Sequence, residues 1–401
     1  MWDRFSTGEL ERRYALARGL MREHELSALV VFGNSGTNRA NMANPFWLSN
    51  HLDLHHCYLV VPLDKGVETA LYTGLTNHVP NAREVSDVPI VEWGGYSPAD
   101  RVAARLREIG VTAGRVGLVG VNATFSMGMP YAHHERLREE LPALELVDVT
   151  LPYARLRLVK SEEEVEWLRK AAELTDRAIV ALAEGARPGM SDVELVALAE
   201  AAYRPEGGMP RIMFLRSMAM DDPNGCLPAQ NPSHRRIAAG DVIITEFSAS
   251  YWGYTGQIQR PIFVEAEPAA EWRRMFDVAL EAYERIVGVL REGATEADVI
   301  RAGSVIGEAG YAIYDDLVHG YGVDIMPPIV DRSCVEWWPW DEARPAPEGR
   351  RFEEGMAVVV QPNPITPDER MGLQLGELTI VRGDRAESLH SVPFEPLVAA
   401  A

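Results

Sequence analysis

The feature that most constrains this 401-residue chain is a faint internal repeat in its C-terminal part. The stretch AIVALAEGARPGMSDVELVAL at 178–198 is echoed by RIVGVLREGATEADVIRAG at 285–303. Each reads as a helix end, an EGA turn and a capped helix start. At nearly the same offset, GDVIITE at 240–246 is echoed by GMAVVVQ at 355–361: a glycine, one variable residue, an apolar run, then a polar group. Chance also produces matches this short. Two similar halves, however, would relate these strands by a pseudo-twofold axis and carry Glu246 and Gln361 into one pocket.

Before the repeat the pattern differs. Residues 1–155 alternate strand-like apolar runs (ALVVFG at 28–33, YLVVPL at 58–63, VGLVGV at 116–121) with helix-like stretches such as PADRVAARLREIG at 98–110, an α/β pattern. VGLVGVNATFS carries neither GxGxxG nor GxxxxGK[ST], so nucleotide binding there has no motif behind it. After LPYARLRLVK the text turns helical. Ser161 and Glu164 stand at capping-box spacing, with apolar residues recurring at Val165, Leu168, Ala172 and Leu174. These changes predict two domains, 1–155 and 156–401.

The formal net charge of −20 opposes phosphate backbones and anionic lipid surfaces, so no nucleic-acid partner and no membrane partner are expected. Cys57, Cys226 and Cys334 are scattered and form no CxxC pair, which argues against a disulfide framework and for a reducing compartment. The charged start MWDRFSTGELERRYALARGL lacks a signal-peptide core, and no apolar run approaches the ~18 residues of a membrane span. A cytoplasmic location is expected.

The hairpin GDVIITEFSASYWGYTGQIQRPIFV at 240–264, its approach PAQNPSHRRIAA, the run VHGYGVDIMPP at 318–328 and LRLVKSEEEVEWLRKAAELTDRAI together resemble the creatinase, aminopeptidase P and prolidase family. The resemblance implies an α/β two-domain protein: a creatinase/prolidase-like N-terminal α/β domain followed by a pita-bread, pseudo-twofold α+β catalytic domain. In the metallopeptidases of that fold two metal ions are held by an Asp in a DxG strand, a second Asp after the turn, the His of HGxG and two late Glu. Here those places fall on Glu246, Gln257, His319, Gln361 and Gly376, and two assisting histidines fall on Met326 and on Ala229 or Gln230. Hard divalent ions need several carboxylate oxygens, and neutral amides neither supply charge nor bridge well. No metal and no cofactor are therefore expected. The resemblance then suggests a metal-independent, creatinase-like hydrolase, a homodimer acting on a non-peptide C–N bond of a small polar nitrogen-containing molecule. The alternatives are a metal-dependent Xaa-Pro aminopeptidase or dipeptidase with a depleted metal site, and a non-catalytic ligand-binding pita-bread protein.

Within that picture Glu246, desolvated at the end of an apolar strand, is expected to act as general base or nucleophile, and His319 to pass a proton to the leaving nitrogen. The bland alternatives are a buried acid bonded to Gln257 or Arg260 and a satisfied core histidine. Gln257 and Gln361 are expected to orient the substrate, helped by Tyr254 and Gln230, with Arg260 either clamping a substrate carboxylate or neutralising Glu246. A bulge at Gly376 would turn Glu377 inward. In WLSNHLDLHHCY at 47–58, His51, Asp53, His55 and His56 crowd together; His55 is expected at a substrate contact or dimer interface. The Trp-rich VEWWPWDEARP at 335–345 reads as a lid, and Cys226 as a thiol at the pocket rim without an identified base.

Overall fold

The computed structural model describes residues 3–35, 42–121, 128–335 and 350–399. The chain divides into two compact units, residues 1–157 and 158–401. The Trp-rich stretch expected to form a lid lies, past Val335, outside the described residues.

The first unit is a six-stranded sheet of β1 (Ala28–Gly33), β2 (Cys57–Pro62), β3 (Ala70–Thr73), β4 (Ile90–Trp93), β5 (Gly114–Val119) and β6 (Leu144–Asp148), ordered β4-β3-β2-β1-β5-β6. Its helices are α1 (Thr7–Glu23), α2 (Ala43–Ser49), α3 (Val79–Val85), α4 (Pro98–Glu108), α5 (Tyr131–Glu140) and α6 (Thr150–Arg155). Strand β1 runs parallel to β5 and antiparallel to β2. Every β1 position is buried, which is why the strand reads as an unbroken apolar run instead of an alternating one. On one face Val30 and Leu118 meet Val102 and Leu106 of α4 and Leu137 of α5.

The second unit opens with α7 (Glu162–Gly185), started by a capping box in which the Ser161 and Glu164 side chains and backbones satisfy one another. After α8 (Asp192–Tyr203) come β7 (Met209–Ala219), β8 (Asp241–Tyr251), β9 (Tyr254–Thr255), β10 (Ile258–Gln259) and β11 (Ile262–Val264). The second half brings α9 (Ala270–Val289), α10 (Glu296–Gly303), α11 (Val305–Glu308), β12 (Ala312–Ile313), β13 (Asp316–Gly320), β14 (Met326–Asp331), β15 (Ala357–Val360), β16 (Pro364–Ile365), β17 (Gly376–Val381), β18 (Ala386–Ser388) and β19 (Leu397–Ala399). The main sheet runs β14-β13-β15-β17-β10-β8-β11-β19, with β7 and β9 on β8 and β18 on β17, while β12 pairs with β16 separately. The repeat is visible in local structure: α8 starts on a Ser191–Glu194 capping box and α10 on a Thr295–Asp298 one.

Strand β8 separates two cores. Its Ile243, Phe247 and Ala249 pack with Leu174, Ile179 and Leu195 of α7 and α8, whereas Val242 and Ile244 join Met275, Phe276 and Val299 of α9 and α10. Helix α7 approaches the turn before β10 so closely that a Cβ on Gly256 would lie 2.5 Å from the Ala172 backbone. Glycine is obligatory there, and it fixes the hairpin that carries Gln257. Among the described residues no helix is long and apolar enough to cross a membrane.

Candidate functional site

The apolar face of β8 that begins with Val242 and Ile244 turns polar at its far end, where alternation gives the same face to Glu246 and Ser248. Glu246 keeps partial exposure, while Gln257, His319 and Gln361 are buried. Gln257 Nε2 donates to Glu246 Oε1 at 3.3 Å and to Gln361 Oε1 at 2.8 Å. Gln361 in turn donates from Nε2 to Asp315 Oδ2 and Asp316 Oδ1, both at 3.2 Å. His319 stands on β13, directly opposite Val359 of β15, and its Nδ1 lies 3.3 Å from the Gly320 carbonyl. With the proton on Nδ1, its Nε2 is an acceptor.

Electrostatics divide the proton-carrying roles. Burial, reinforced by the Asp315 charge, pushes the Glu246 carboxyl up to about 8. Asp316 is raised well above the usual carboxylate range by burial, then by Asp315 and Glu246, and burial also raises Asp315. Burial brings the His319 imidazole down to about 4, against the help of the Gly320 carbonyl and Gln361. Near neutral pH Glu246 thus retains its proton and His319 is uncharged. This reverses the expected assignment, in which Glu246 takes the proton and His319 gives it.

A two-metal centre needs several anionic oxygens, some of them bridging. The five positions where the fold's metallopeptidases hold metal carry one glutamate, two neutral amides, one imidazole and a glycine. The space beside Gly376 is filled: a Cβ there would lie 2.6 Å from Gln259 Oε1 and 2.7 Å from Gln361 Cα. Among the described residues no group of three or more His, Cys, Asp or Glu could hold a metal ion. By this donor chemistry the residues present do not fit a dinuclear centre.

Several expected substrate contacts have other tasks. Strand β17 pairs with β10 and β15 in unbroken register, without a bulge at Gly376, so Glu377 points away from Glu246. It binds Arg260 Nη2 at 2.5 Å, the Tyr283 hydroxyl at 2.9 Å and the Ser388 hydroxyl. Arg260 spends its remaining donors on the carbonyls of Pro393, Gln259, Gly376 and Val392, which leaves none for a substrate or for Glu246. Tyr254 donates its hydroxyl to Glu164 Oε1 at 2.6 Å and so anchors the start of α7. Gln230 is exposed in the segment before β8, and Cys226 is buried with its thiol pushed up, the wrong direction for a nucleophile. Gly320 answers to structure: a Cβ there would lie 2.5 Å from the Pro327 carbonyl of β14.

In the N-terminal unit the histidines form a network of their own. Asp53 accepts from His51 Nε2 at 3.3 Å, His78 Nδ1 at 2.8 Å and the His55 backbone at 2.9 Å. Burial alone would raise Asp53, yet these bonds hold it well below the usual carboxylate range. The exposed His55 ring stacks on His78 with centroids 5.7 Å apart.

Sequence reasoning misses three pocket residues. Gln259 donates to Gln361 Oε1 at 2.5 Å, a partnership that the alternation in QIQ could have revealed. Asp315 and Asp316 are signalled by two adjacent acids placed just before the apolar LVHG strand.

Residues 166–383 match the family model for metallopeptidase family M24, and residues 13–159 that for the creatinase/prolidase N-terminal domain. The Xaa-Pro dipeptidase of Pyrococcus furiosus is 25% identical over 89% of this chain and 94% of its own length. The probable dipeptidase PepE of Mycobacterium tuberculosis is 27% identical over 72% of this chain and 73% of its own. Among solved structures, the X-Pro aminopeptidase of Thermotoga maritima superposes with a TM-score of 0.79 at 20% identity, covering 96% of this chain and 99% of that one. Dipeptidase PepE of Mycobacterium ulcerans gives 0.75 at 22% identity over 100% of both. At these identities the structural likeness shows the fold alone. The curated relatives overturn the expectation of a creatinase-like enzyme for non-peptide C–N bonds, because the matches along most of both chains carry dipeptidase names. Missing metal ligands describe how a pocket is charged and do not select which C–N bond enters it.

Proposed function

The chain belongs to metallopeptidase family M24, and as a hydrolase of that family we propose that it is a dipeptidase for small peptides with proline on the leaving side, working in a pocket depleted of metal ligands. The observation that carries this reading is the match to Xaa-Pro dipeptidases along nearly the whole chain. The pocket is consistent with it. Peptide hydrolysis needs a proton for the departing nitrogen and an acceptor for the proton of the attacking water. A proline imide nitrogen carries no hydrogen and leaves only when protonated. Glu246, protonated near neutral pH, is the donor to that nitrogen, and neutral His319 is the acceptor for the water. Once Glu246 has given up its proton, Gln257 Nε2 at 3.3 Å stabilises the carboxylate that forms. The residues do not fit two metal ions, and no step here runs through one.

The test is incubation of the purified protein with a panel of Xaa-Pro dipeptides and Xaa-Ala controls, with and without Mn²⁺ or Co²⁺, with products read by mass spectrometry. The expected result is free proline from at least one Xaa-Pro peptide. Absence of release from every member, under either condition, overturns the reading.

A further inference from the structure

We propose that Asp315, Asp316 and Asp331 form a subsite for a cationic side chain on the first residue of the substrate, so that the pocket selects Lys-Pro and Arg-Pro over peptides with a neutral first residue; the inference rests on the dipeptidase reading above. Asp316 opens β13 and stands directly opposite Asp331 of β14, which puts the two side chains on one face of the sheet. Asp315 precedes them at partial exposure, while Asp316 is buried. The hydrogen bonds they accept come from neutral groups: Gln361 Nε2 to Asp315 Oδ2 and Asp316 Oδ1, the Ser333 backbone and hydroxyl to Asp331 Oδ1, and Asp316 to Asp315. Burial and the neighbouring carboxyls raise Glu246, Asp315 and Asp316 together, and no basic side chain ranks with those neighbours.

A second observation comes from the amides beside them. Because Gln361 gives its Nε2 to the aspartates, its Oε1 takes the Nε2 groups of both Gln257 and Gln259. That network fixes which way the two amides point. It leaves Gln257 Oε1 and Gln259 Oε1 without a hydrogen-bond partner, although both residues are fully buried. Buried polar atoms left unpaired cost free energy, so native structures keep few of them, and those few call for an explanation. Both of these are acceptors. A pocket of carboxyl groups and acceptors without donors lacks hydrogen-bond donors and positive charge, and an ammonium or guanidinium group supplies both at once.

Reach decides which cation enters. Glu246 is linked to the aspartates through two amides in series, Gln257 and then Gln361. The α-ammonium of a dipeptide lies three bonds from the nitrogen that Glu246 protonates, and it stays within about 4 Å of that nitrogen. A lysine or arginine side chain extends several bonds further and carries its charge past the amides to the aspartates.

Thermal-shift titration of the full chain with L-lysine and L-norleucine at equal ionic strength tests this without requiring turnover. The two amino acids share their carbon skeleton and differ only in the terminal ammonium. The expected result is that lysine raises the melting temperature at concentrations about tenfold below those that norleucine requires. Asp315→Asn should abolish that preference and Asp315→Glu retain part of it. Should Asp315→Asn fail to fold, Asp316→Asn, which has the shape of the protonated carboxyl, serves instead with the same expected loss. Equal stabilisation by both ligands, stabilisation by neither, or an intact preference in the variant overturns the subsite. A preference for lysine without cleavage of any Xaa-Pro peptide would retain the subsite and remove the dipeptidase reading, whereas faster cleavage of norleucyl-proline than of Lys-Pro would do the opposite.

Discussion

Two buried polar clusters share the large sheet and differ in how completely they are satisfied. Around Arg260 and Glu377, all five guanidinium N–H groups and both carboxylate oxygens have partners. Around Glu246, Gln257 Oε1, Gln259 Oε1, Ser248 Oγ and the Tyr321 hydroxyl have no hydrogen-bond partner among the described residues. A closed network has nothing left to offer a ligand and ties β10 and β17 to the C-terminal segment. An open one keeps donors and acceptors for a molecule that comes and goes. The difference teaches that buried charge alone does not mark a site; unspent hydrogen-bonding capacity beside it does.

The sharpest way to break this comparison is to alter one member of each cluster. Glu246→Gln, which preserves shape, should lower kcat/KM for an Xaa-Pro dipeptide by roughly 10²–10⁴-fold, the usual worth of a general acid, without lowering the melting temperature. Arg260→Met should do the reverse. It strands the Glu377 carboxylate in the interior at a cost of about 3–5 kcal/mol, read by urea unfolding, whereas Arg260→Met combined with Glu377→Leu should cost less than the single change. Tyr254→Phe, which removes the bond to Glu164, should cost about 1.5 kcal/mol and leave turnover unchanged.

A further expected effect is in pH. Between the unfolded value of 4.5 and about 8, an unfolded Glu246 has lost its proton while the folded one retains it. Folding stability therefore falls as pH rises through that window, by about 1 kcal/mol per pH unit, and Glu246→Gln should flatten the slope. His319 acts in the opposite sense: lowered from 6.5 to about 4, it removes stability as pH falls through that range. Melting curves of wild type and Glu246→Gln from pH 5 to 9 would separate the two.

The fold is legible in the sequence because periodicity and capping are local. The Ser161, Ser191 and Thr295 caps and the apolar runs at 28–33 and 242–244 specify their elements without help from distant residues. The convergence of Glu246, Gln257 and Gln361 is legible as well, because the repeat brings the two strand ends together. The facing of Glu377 and the aim of Arg211 are not. One depends on β17 continuing in register through Gly376 and the other on a one-residue bulge in β7, and both follow from pairing between strands distant in sequence. Asp315 and Asp316 escape for a similar reason, since their importance comes from a glutamine 45 or 46 positions away.

The most direct test of the central claim is the initial rate of proline release from Gly-Pro at pH 7 with Mn²⁺ present, wild type against Glu246→Gln at equal folded concentration. The account predicts release by the wild type and its loss in the variant. An unchanged rate in Glu246→Gln, or no proline from the wild type, would contradict it.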